Sequence, residues 1–245
     1  MKYRITLENP GEVRLPIHYN QILQASVLHW LENEYSVFLH DMGFYTENRV
    51  YKLYTFSNLI GAYVIDSGRH QIVFSGPIQF YLSFYEEESH EFILDNIKKE
   101  KKFHLGWYDL SLINCELVRE EWMSCRVRTL SPVTVHSTLY TIDGKKKTIY
   151  LSPHQKEFSQ LIRKNLIHKY DAFYLEKPKD DDFSITPIDN GRMKEIHLSY
   201  KKFFISGWKG DFWIKGSPEL IKLALLSGIG SRNSIGMGCL LQRPR

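Results

Sequence analysis

The sequence predicts an α+β chain built as two halves, each ordered strand, helix, strand, strand, helix, strand. Three observations carry that prediction. Apolar and polar residues alternate with period two at corresponding places in both halves, as Tyr3, Ile5 and Leu7 do against Arg4 and Thr6. Apolar residues recur at helical spacing between those stretches, as in Leu23, Val27, Trp30 and Leu31. Glycine and proline breaks separate the pieces, beginning with Pro10-Gly11.

Taken in order, the first strand opens at Tyr3 and stops at Pro10-Gly11. A helix follows from about Asn20, and Ser36 restarts a short second one through Val37, Phe38 and Leu39 that Gly43 ends. Lys52 opens the strand KLYTFSNL, and QIVFSGPIQFYLSFY is the next strand. The charged stretch EEESHEFILDNIKKEKK is compatible with a helix, and FHLGWYDLSLINCELV alternates again. In the second half CRVRTLSPVTVHST reads as strand, and YTIDGKKKTIYL is a hairpin turning at Asp143-Gly144. Ser152-Pro153 sets up a helix through Phe158, Leu161, Ile162 and Leu166, and KPKDDD is a solvated loop. Two strands surround Gly210-Asp211, Ser217-Pro218 caps the helix PELIKLALL, Gly228 ends it, and GMGCLLQ closes as a strand. Each half thus has the β-α-β-β-α-β order of a ferredoxin-like domain, giving two tandem domains over 1–124 and 125–245. The join lies near Trp122–Cys125, without a Pro/Gly-rich linker, so the halves are expected to pack together.

Composition narrows the function classes. The chain has 245 residues, 43% hydrophobic and 24% charged, as globular proteins do. It has no apolar run of membrane-spanning length, and MKYRITLENPGEV does not resemble a signal peptide, so a cytoplasmic location is expected. Cys115, Cys125 and Cys239 are odd in number and include no C-x-x-C pair, which argues against disulfides and a zinc site. The histidines include no H-E-x-x-H, and no G-x-S-x-G elbow is present, so no metal or other cofactor is expected. The net charge of +4 hides an asymmetry: −6 up to Ser124 and +10 from Cys125 onward. A basic half attracts polyanions and releases their counterions, which points to nucleic acid.

The most informative segment is GIGSRNSIGMG, Gly228–Gly238, between the last helix and the last strand. Its form is G-h-G-x5-G-h-G, with h apolar. Glycine permits positive φ and close backbone approach, so a run of amides can face a phosphate. Arg232 adds a cation, and Ser231, Asn233 and Ser234 add neutral hydrogen-bonding groups. It is no Walker loop, since Met237 follows Gly236, and no dinucleotide fingerprint, since Asn233 stands where a third glycine belongs. A helix cap with a tight turn is the other use for such a segment. One glycine satisfies that use, and the segment has four, at Gly228, Gly230, Gly236 and Gly238.

With this loop before its final strand, the chain resembles the repeat-associated mysterious protein superfamily. Within it, the chain resembles the CRISPR-associated endoribonuclease of family six. The likeness also covers LPIHYNQILQASVLHWL, LHDMGF, KLYTFSNL and RTLSPVTV, in that order. It implies two ferredoxin-like domains and metal-independent cleavage of precursor CRISPR RNA within its repeats. In that chemistry the ribose 2′-hydroxyl attacks the adjacent phosphate and leaves 2′,3′-cyclic phosphate and 5′-hydroxyl ends. His40 matches the family's catalytic histidine and Lys52 its lysine. A histidine suits proton transfer near neutrality, and a lysine suits charge on the phosphorane. The resemblance assigns RNA contact to Gly228, Gly230, Ser231, Arg232, Asn233, Ser234, Gly236 and Gly238.

One departure stands out. Leu28 occupies the position of a tyrosine that many members carry in the first helix. His29, Tyr45, Tyr51 and Tyr54 are other groups within reach in sequence, but an unbroken helix would put His29 about 16 Å from His40 at 1.5 Å per residue. The basic residues Arg126, Arg128, Lys145, Lys146, Lys147, Lys201, Lys202 and Lys209 are candidates for RNA backbone contact. Trp107, Trp208 and Trp213 are candidates for stacking, although core packing suits each of them better. Expected partners are CRISPR repeat RNA and other subunits of an interference complex, with no membrane, for a monomer or homodimer. The main rival is a member that holds guide RNA without cutting it. A more remote one is an RNA-binding module of another kind, for which the aromatic strand motif is absent.

Overall fold

The computed structural model describes residues 1–31, 36–46, 49–87, 99, 101–140, 143–200 and 203–243, with the side chains at positions 40 and 140 outside the description. The first strand, β1 (Lys2–Glu8), is central because both its edges are paired: Ile5 faces Phe80 on one side and Cys115 on the other. Its neighbours are the 14-residue β7 (Gln71–Phe84) and β9 (Tyr108–Leu117), with β8 (Lys102–Leu105) outside β9. β7 is long enough to carry two short partners on each edge. Residue 73 faces both Arg14 of β2 (Val13–Pro16) and Val64 of β6 (Ile60–Asp66). Ser83 faces both Lys2 and Thr55 of β5 (Tyr54–Phe56). So β1 and β2 share one edge, β5 and β6 the other. The order β9-β1-β7-β6 is that of a ferredoxin-like sheet.

Helix α1 (Asn20–His29) lays Leu23 and Val27 on this sheet, in a core with Ile5, Leu7, Phe80 and Phe103. Burying such side chains is the main force holding the layer, at about 1.5–3 kcal/mol each. The second helix expected in this half falls almost wholly on residues outside the description.

The second sheet runs β13 (Phe183–Pro187), β16 (Asp211–Gly216), β10 (Cys125–Thr129), β17 (Leu240–Gln242), all antiparallel. Helix α2 (Lys156–Tyr174) and helix α3 (Pro218–Ser227) complete the β-α-β-β-α-β order. Phe158, Ile162 and Leu166 of α2 share one core with Leu220, Leu223 and Ala224 of α3 and with Phe212 and Ile214. α3 starts as the sequence requires: Ser217 Oγ accepts from the Leu220 amide, and Pro218 takes the first turn. The molecule is a mixed α/β protein with two ferredoxin-like sheets.

Several elements differ from the sequence reading. Lys52 does not open a strand. It sits between β4 (Arg49–Tyr51) and β5, next to Leu53 at φ 47°. β4 pairs instead with β3 (Phe44–Thr46). α2 starts at Lys156, after a turn at Ser152–Gln155 closed by a backbone hydrogen bond, rather than at Pro153. Three strands, not two, occupy 194–216: β14 (Lys194–Tyr200) and β15 (Phe203–Lys209) form a hairpin ahead of β16. β2, β6 and β13 were not recognised. β6 is mostly solvent-exposed, so its residues carry no apolar alternation to reveal it. The hairpin at Asp143-Gly144 is present between β11 (His136–Tyr140) and β12 (Lys146–Tyr150), with Gly144 at φ 75°.

Candidate active site

The site forms where the chain crosses between the two cores. Tyr51 and Leu53 are buried in the second core, while Tyr54 and Phe56 are buried in the first. The kink at Leu53 makes that switch, and Lys52 lies in the middle of it. Upstream, Phe38–Met42 forms a single π-helical turn, a distortion often found at functional positions. The Gly43 amide closes it onto the Phe38 carbonyl at 2.8 Å. A Cβ at Gly43 would stand 2.7 Å from the Tyr51 carbonyl oxygen and 3.0 Å from Lys52 Cδ, so only glycine lets the turn lie against Lys52. Asp41, on that turn, is close enough to act on the lysine. Partial burial lowers the Lys52 pKa, and the Asp41 carboxylate opposes the fall. His40 lies on the same turn, and its side chain is outside the description.

Lys52 lines a pocket of about 280 Å³ with Leu39 of the π turn, Gln21, Gln24, Ala25 and Leu28 of α1, Tyr54, Tyr200 and Ser234. The glycine loop therefore reaches the same pocket as Lys52, although 182 residues separate Lys52 from Ser234. Leu28 presents an apolar side chain there. Hydroxyls come instead from Tyr54, whose pKa burial raises, and from Tyr200, which donates to Gln24 Oε1 at 2.6 Å. His29 is not on this pocket. Its ring lies 5.3 Å from that of His104, on the β8 side of α1. Tyr45 is exposed on β3.

The glycine loop is held from both halves of the chain. Asn20 Nδ2 donates to the Ile235 carbonyl at 2.9 Å, and Thr55 Oγ1 donates to the Met237 carbonyl at 2.9 Å. A Cβ at Gly236 would stand 2.3 Å from the Phe56 ring, and one at Gly230 would stand 2.4 Å from the Thr134 carbonyl oxygen. Gly228, Gly230, Gly236 and Gly238 are all buried at φ 71–80°. The loop amides bond inside the protein: Ile229 to Gly238, Ser231 to Thr134, Gly236 to Asn233 and Gly238 to Pro132. Beneath the loop, the buried Lys169 donates to Asn233 Oδ1 and to the Gly228 carbonyl. Ser231, Arg232, Asn233 and Ser234 are the partly exposed members.

Arg232, itself at φ 62°, places its guanidinium 5.9 Å from the Phe203 ring centroid. Ser231 Oγ lies 3.1 Å from His136 Nδ1. The His136 pKa is lowered by burial and then by Arg232 and Arg49, so an arginine of the glycine loop and one of β4 both act on one imidazole. Sequence reading missed Arg49, His136, Gln24 and Tyr200. Only the short distance of Arg49 from Lys52 along the chain hinted at any of them.

The other basic candidates separate by environment. Arg126 and Arg128 both donate to Asp211, which has no exposed side-chain surface. Burial raises the Asp211 pKa, but hydrogen bonds from Arg128, Asn190 and Arg126 outweigh it and hold the carboxyl below its usual value. Lys209 is half-buried and its pKa is lowered by that burial. Lys145 pairs with Asp143, Lys146 and Lys147 are exposed, and Lys201 and Lys202 lie outside the described residues. Trp208 packs against the second core and Trp213 is half exposed. Trp107 is 99% exposed at a hairpin tip, against the expectation of core packing.

The comparisons agree on one family. A family model described as CRISPR associated protein Cas6, C-terminal, matches residues 116–241. The CRISPR-associated endoribonuclease Cas6 1 of Methanocaldococcus jannaschii is 24% identical over 249 residues, covering 98% of this chain and 92% of that one. The CRISPR-associated endoribonuclease-like protein Cas6 of Pyrococcus furiosus is 27% identical over 168 residues, 68% of each chain. A solved structure described as an RAMP protein binding different RNA substrates superposes over 100% of both chains, with TM-score 0.80 and 23% identity.

Proposed function

The chain belongs to the Cas6 family of CRISPR-associated proteins, and from that premise we propose that it is an endoribonuclease cutting precursor CRISPR RNA within its repeats. The observation that carries the proposal is the single pocket shared by Lys52, the π turn that holds His40, and Ser234 of the glycine loop. The Lys52 cation and the partly exposed Ser234 of the loop line that pocket together, which supports the reading. The ribose 2′-oxygen attacks the adjacent phosphorus as it loses its proton. The bond from phosphorus to the 5′-oxygen breaks, and that oxygen takes up a proton. The products are a 2′,3′-cyclic phosphate and a 5′-hydroxyl. His40 serves proton transfer, and the Lys52 ammonium offsets the charge on the phosphorane. No metal takes part.

RNA contact falls to Ser231, Arg232, Asn233 and Ser234, with Arg49 and His136 beside them. Gly228, Gly230, Gly236 and Gly238 act by giving the loop its path, since all four take a positive φ with no room for a Cβ, and the Gly236 and Gly238 amides already have partners. The strands of one sheet fall before residue 124 and those of the other after it, which supports a division into 1–124 and 125–245, with the active site drawn mainly from the first half and the RNA loop from the second. A cytoplasmic setting among CRISPR effector subunits suits this role.

The test is incubation of repeat RNA with wild type and His40→Ala. Loss of cleavage with retained binding is expected, and undiminished cleavage would remove His40 from the mechanism. A 2′-deoxy substitution at the cut site should stop cleavage, and EDTA should not. A second reading, a member that binds guide RNA without cutting it, is favoured by Leu28, which puts a hydrocarbon where a tyrosine hydroxyl is expected. Wild-type binding without cleavage would select it.

A further inference from the structure

A second groove adjoins the Lys52 pocket. It has a volume of about 930 Å³ and runs between α1 and the β8–β9 hairpin. Gln21 and Ala25 line both cavities, so the exposed side of α1 is their shared wall. His18, His29 and His104 line the far side. The His29 and His104 rings meet edge to face at 5.3 Å, and Asp109 bonds His104 Nδ1, which fixes that ring's orientation. At the hairpin tip Leu105 pairs with Tyr108 across a two-residue turn, Gly106-Trp107. Gly106 at φ 64° makes that turn and packs against Ile22, while Trp107 stands 99% exposed beside the groove.

An indole left almost wholly in water, on a two-residue turn, has no folding role. None of the contacts that hold the first core needs it. Every base has a π face, so such a ring is a platform for an unpaired base. Imidazoles beside it supply donors to phosphate or ribose oxygens. We propose that the groove between α1 and Trp107 is a second subsite for the same RNA: a single-stranded segment leaves the Lys52 pocket across Gln21 and Ala25, stacks a base on Trp107 and sets its backbone against His29 and His104. The inference rests on the RNA-binding reading above, and the continuity of the two cavities supplies the occupant.

The test is equilibrium titration of repeat RNA, and of a series shortened stepwise from each end, at one fixed salt concentration. Wild type, Trp107→Ala, Trp107→Phe and the double variant His29→Ala/His104→Ala are compared. Trp107→Ala should weaken full-length binding about 10-fold, as removal of one stacking platform does, and Trp107→Phe should recover most of it. The difference should vanish once the RNA end that occupies the groove is removed. Trp107→Ala should leave the melting temperature unchanged, because the side chain is solvent-exposed. Equal affinity of wild type, Trp107→Ala and the double variant for full-length RNA overturns the subsite alone and leaves the Lys52 pocket standing. An affinity loss that persists unchanged down to the shortest RNA that binds also overturns it. A wild type that fails to bind repeat RNA overturns both readings.

Discussion

Lys169 Nζ lies 2.8 Å from Asn233 Oδ1 and 2.7 Å from the Gly228 carbonyl oxygen, so a fully buried lysine on α2 joins the two ends of the glycine loop's first half. Its other contacts are the Ser227 carbonyl and hydroxyl at 3.3 and 3.1 Å. The carbonyls come from the C-terminal end of α3, where the helix dipole favours a cation.

Burial lowers the Lys169 pKa to about 7, from 10.5. Between these values the unfolded chain keeps a proton that the folded chain has lost, so stability rises with pH across that window, by a few kcal/mol at most. Below about pH 7 both states carry the proton and this group adds no slope. Lys169→Met should remove the slope, which urea unfolding at pH 6, 7.5 and 9 would measure. It should also weaken RNA binding, since Asn233 loses a partner.

Lys2 and Glu120 form an ion pair at 2.7 Å with side chains 0% and 2% exposed, and Lys2 also donates to the Leu240 carbonyl. The pair ties β1 of one sheet to β17 of the other. Lys2→Met leaves the carboxylate buried without its cation, and should cost about 3–5 kcal/mol. Adding Glu120→Leu should recover part of that loss. Denaturant midpoints for the two variants give both values.

Gly236→Ala and Gly238→Ala should both destabilise, by about 2 kcal/mol or more, for different reasons. At Gly236 the added Cβ meets the Phe56 ring at 2.3 Å, and at Gly238 it meets the Ile229 carbonyl oxygen at 2.0 Å. A side chain can be changed and a backbone cannot. Phe56→Leu should therefore offset part of the Gly236→Ala cost in a double-mutant cycle, and leave the Gly238→Ala cost untouched.

Leu28→Tyr should place a hydroxyl in the Lys52 pocket. A positioned proton-transfer group contributes about 100-fold or more, so single-turnover cleavage should rise at least 10-fold with little change in affinity. Tyr200→Phe should slow the wild type more than it slows Leu28→Tyr, if the Tyr200 hydroxyl now covers for the missing one. Rapid-quench measurements on the four proteins decide this.

Much of the architecture was legible because local rules govern it. Alternation in 3–7 follows from a sheet with one buried face, and Ser217-Pro218 with Gly228 bounds α3 by capping chemistry alone. The limits appear at edges and kinks. β6 lies on the rim of its sheet with little burial, so no apolar pattern marks it, and the break at Lys52–Leu53 depends on the chain leaving one core for the other. Trp107 shows the same limit from the opposite side: an indole reads as core until the hairpin turn places it in water.

By itself the sequence determined the tandem domain order and the glycine spacing that marks the family, and the resemblance to that family singled out Lys52 and the LHDMGF turn as candidates. Tertiary structure decided what the loop's glycines do and which groups share a pocket. The glycine spacing admits an amide cradle for phosphate, but the amides of Ile229, Ser231, Gly236 and Gly238 are bonded to Thr134, Pro132 and the loop itself, and the missing Cβ atoms make room for Phe56 and Thr134. The reason is physical. Hydrogen-bond satisfaction and steric room belong to the packed interface of two sheets, and neighbours 182 residues apart, such as Lys52 and Ser234, are set by that packing and by no local preference.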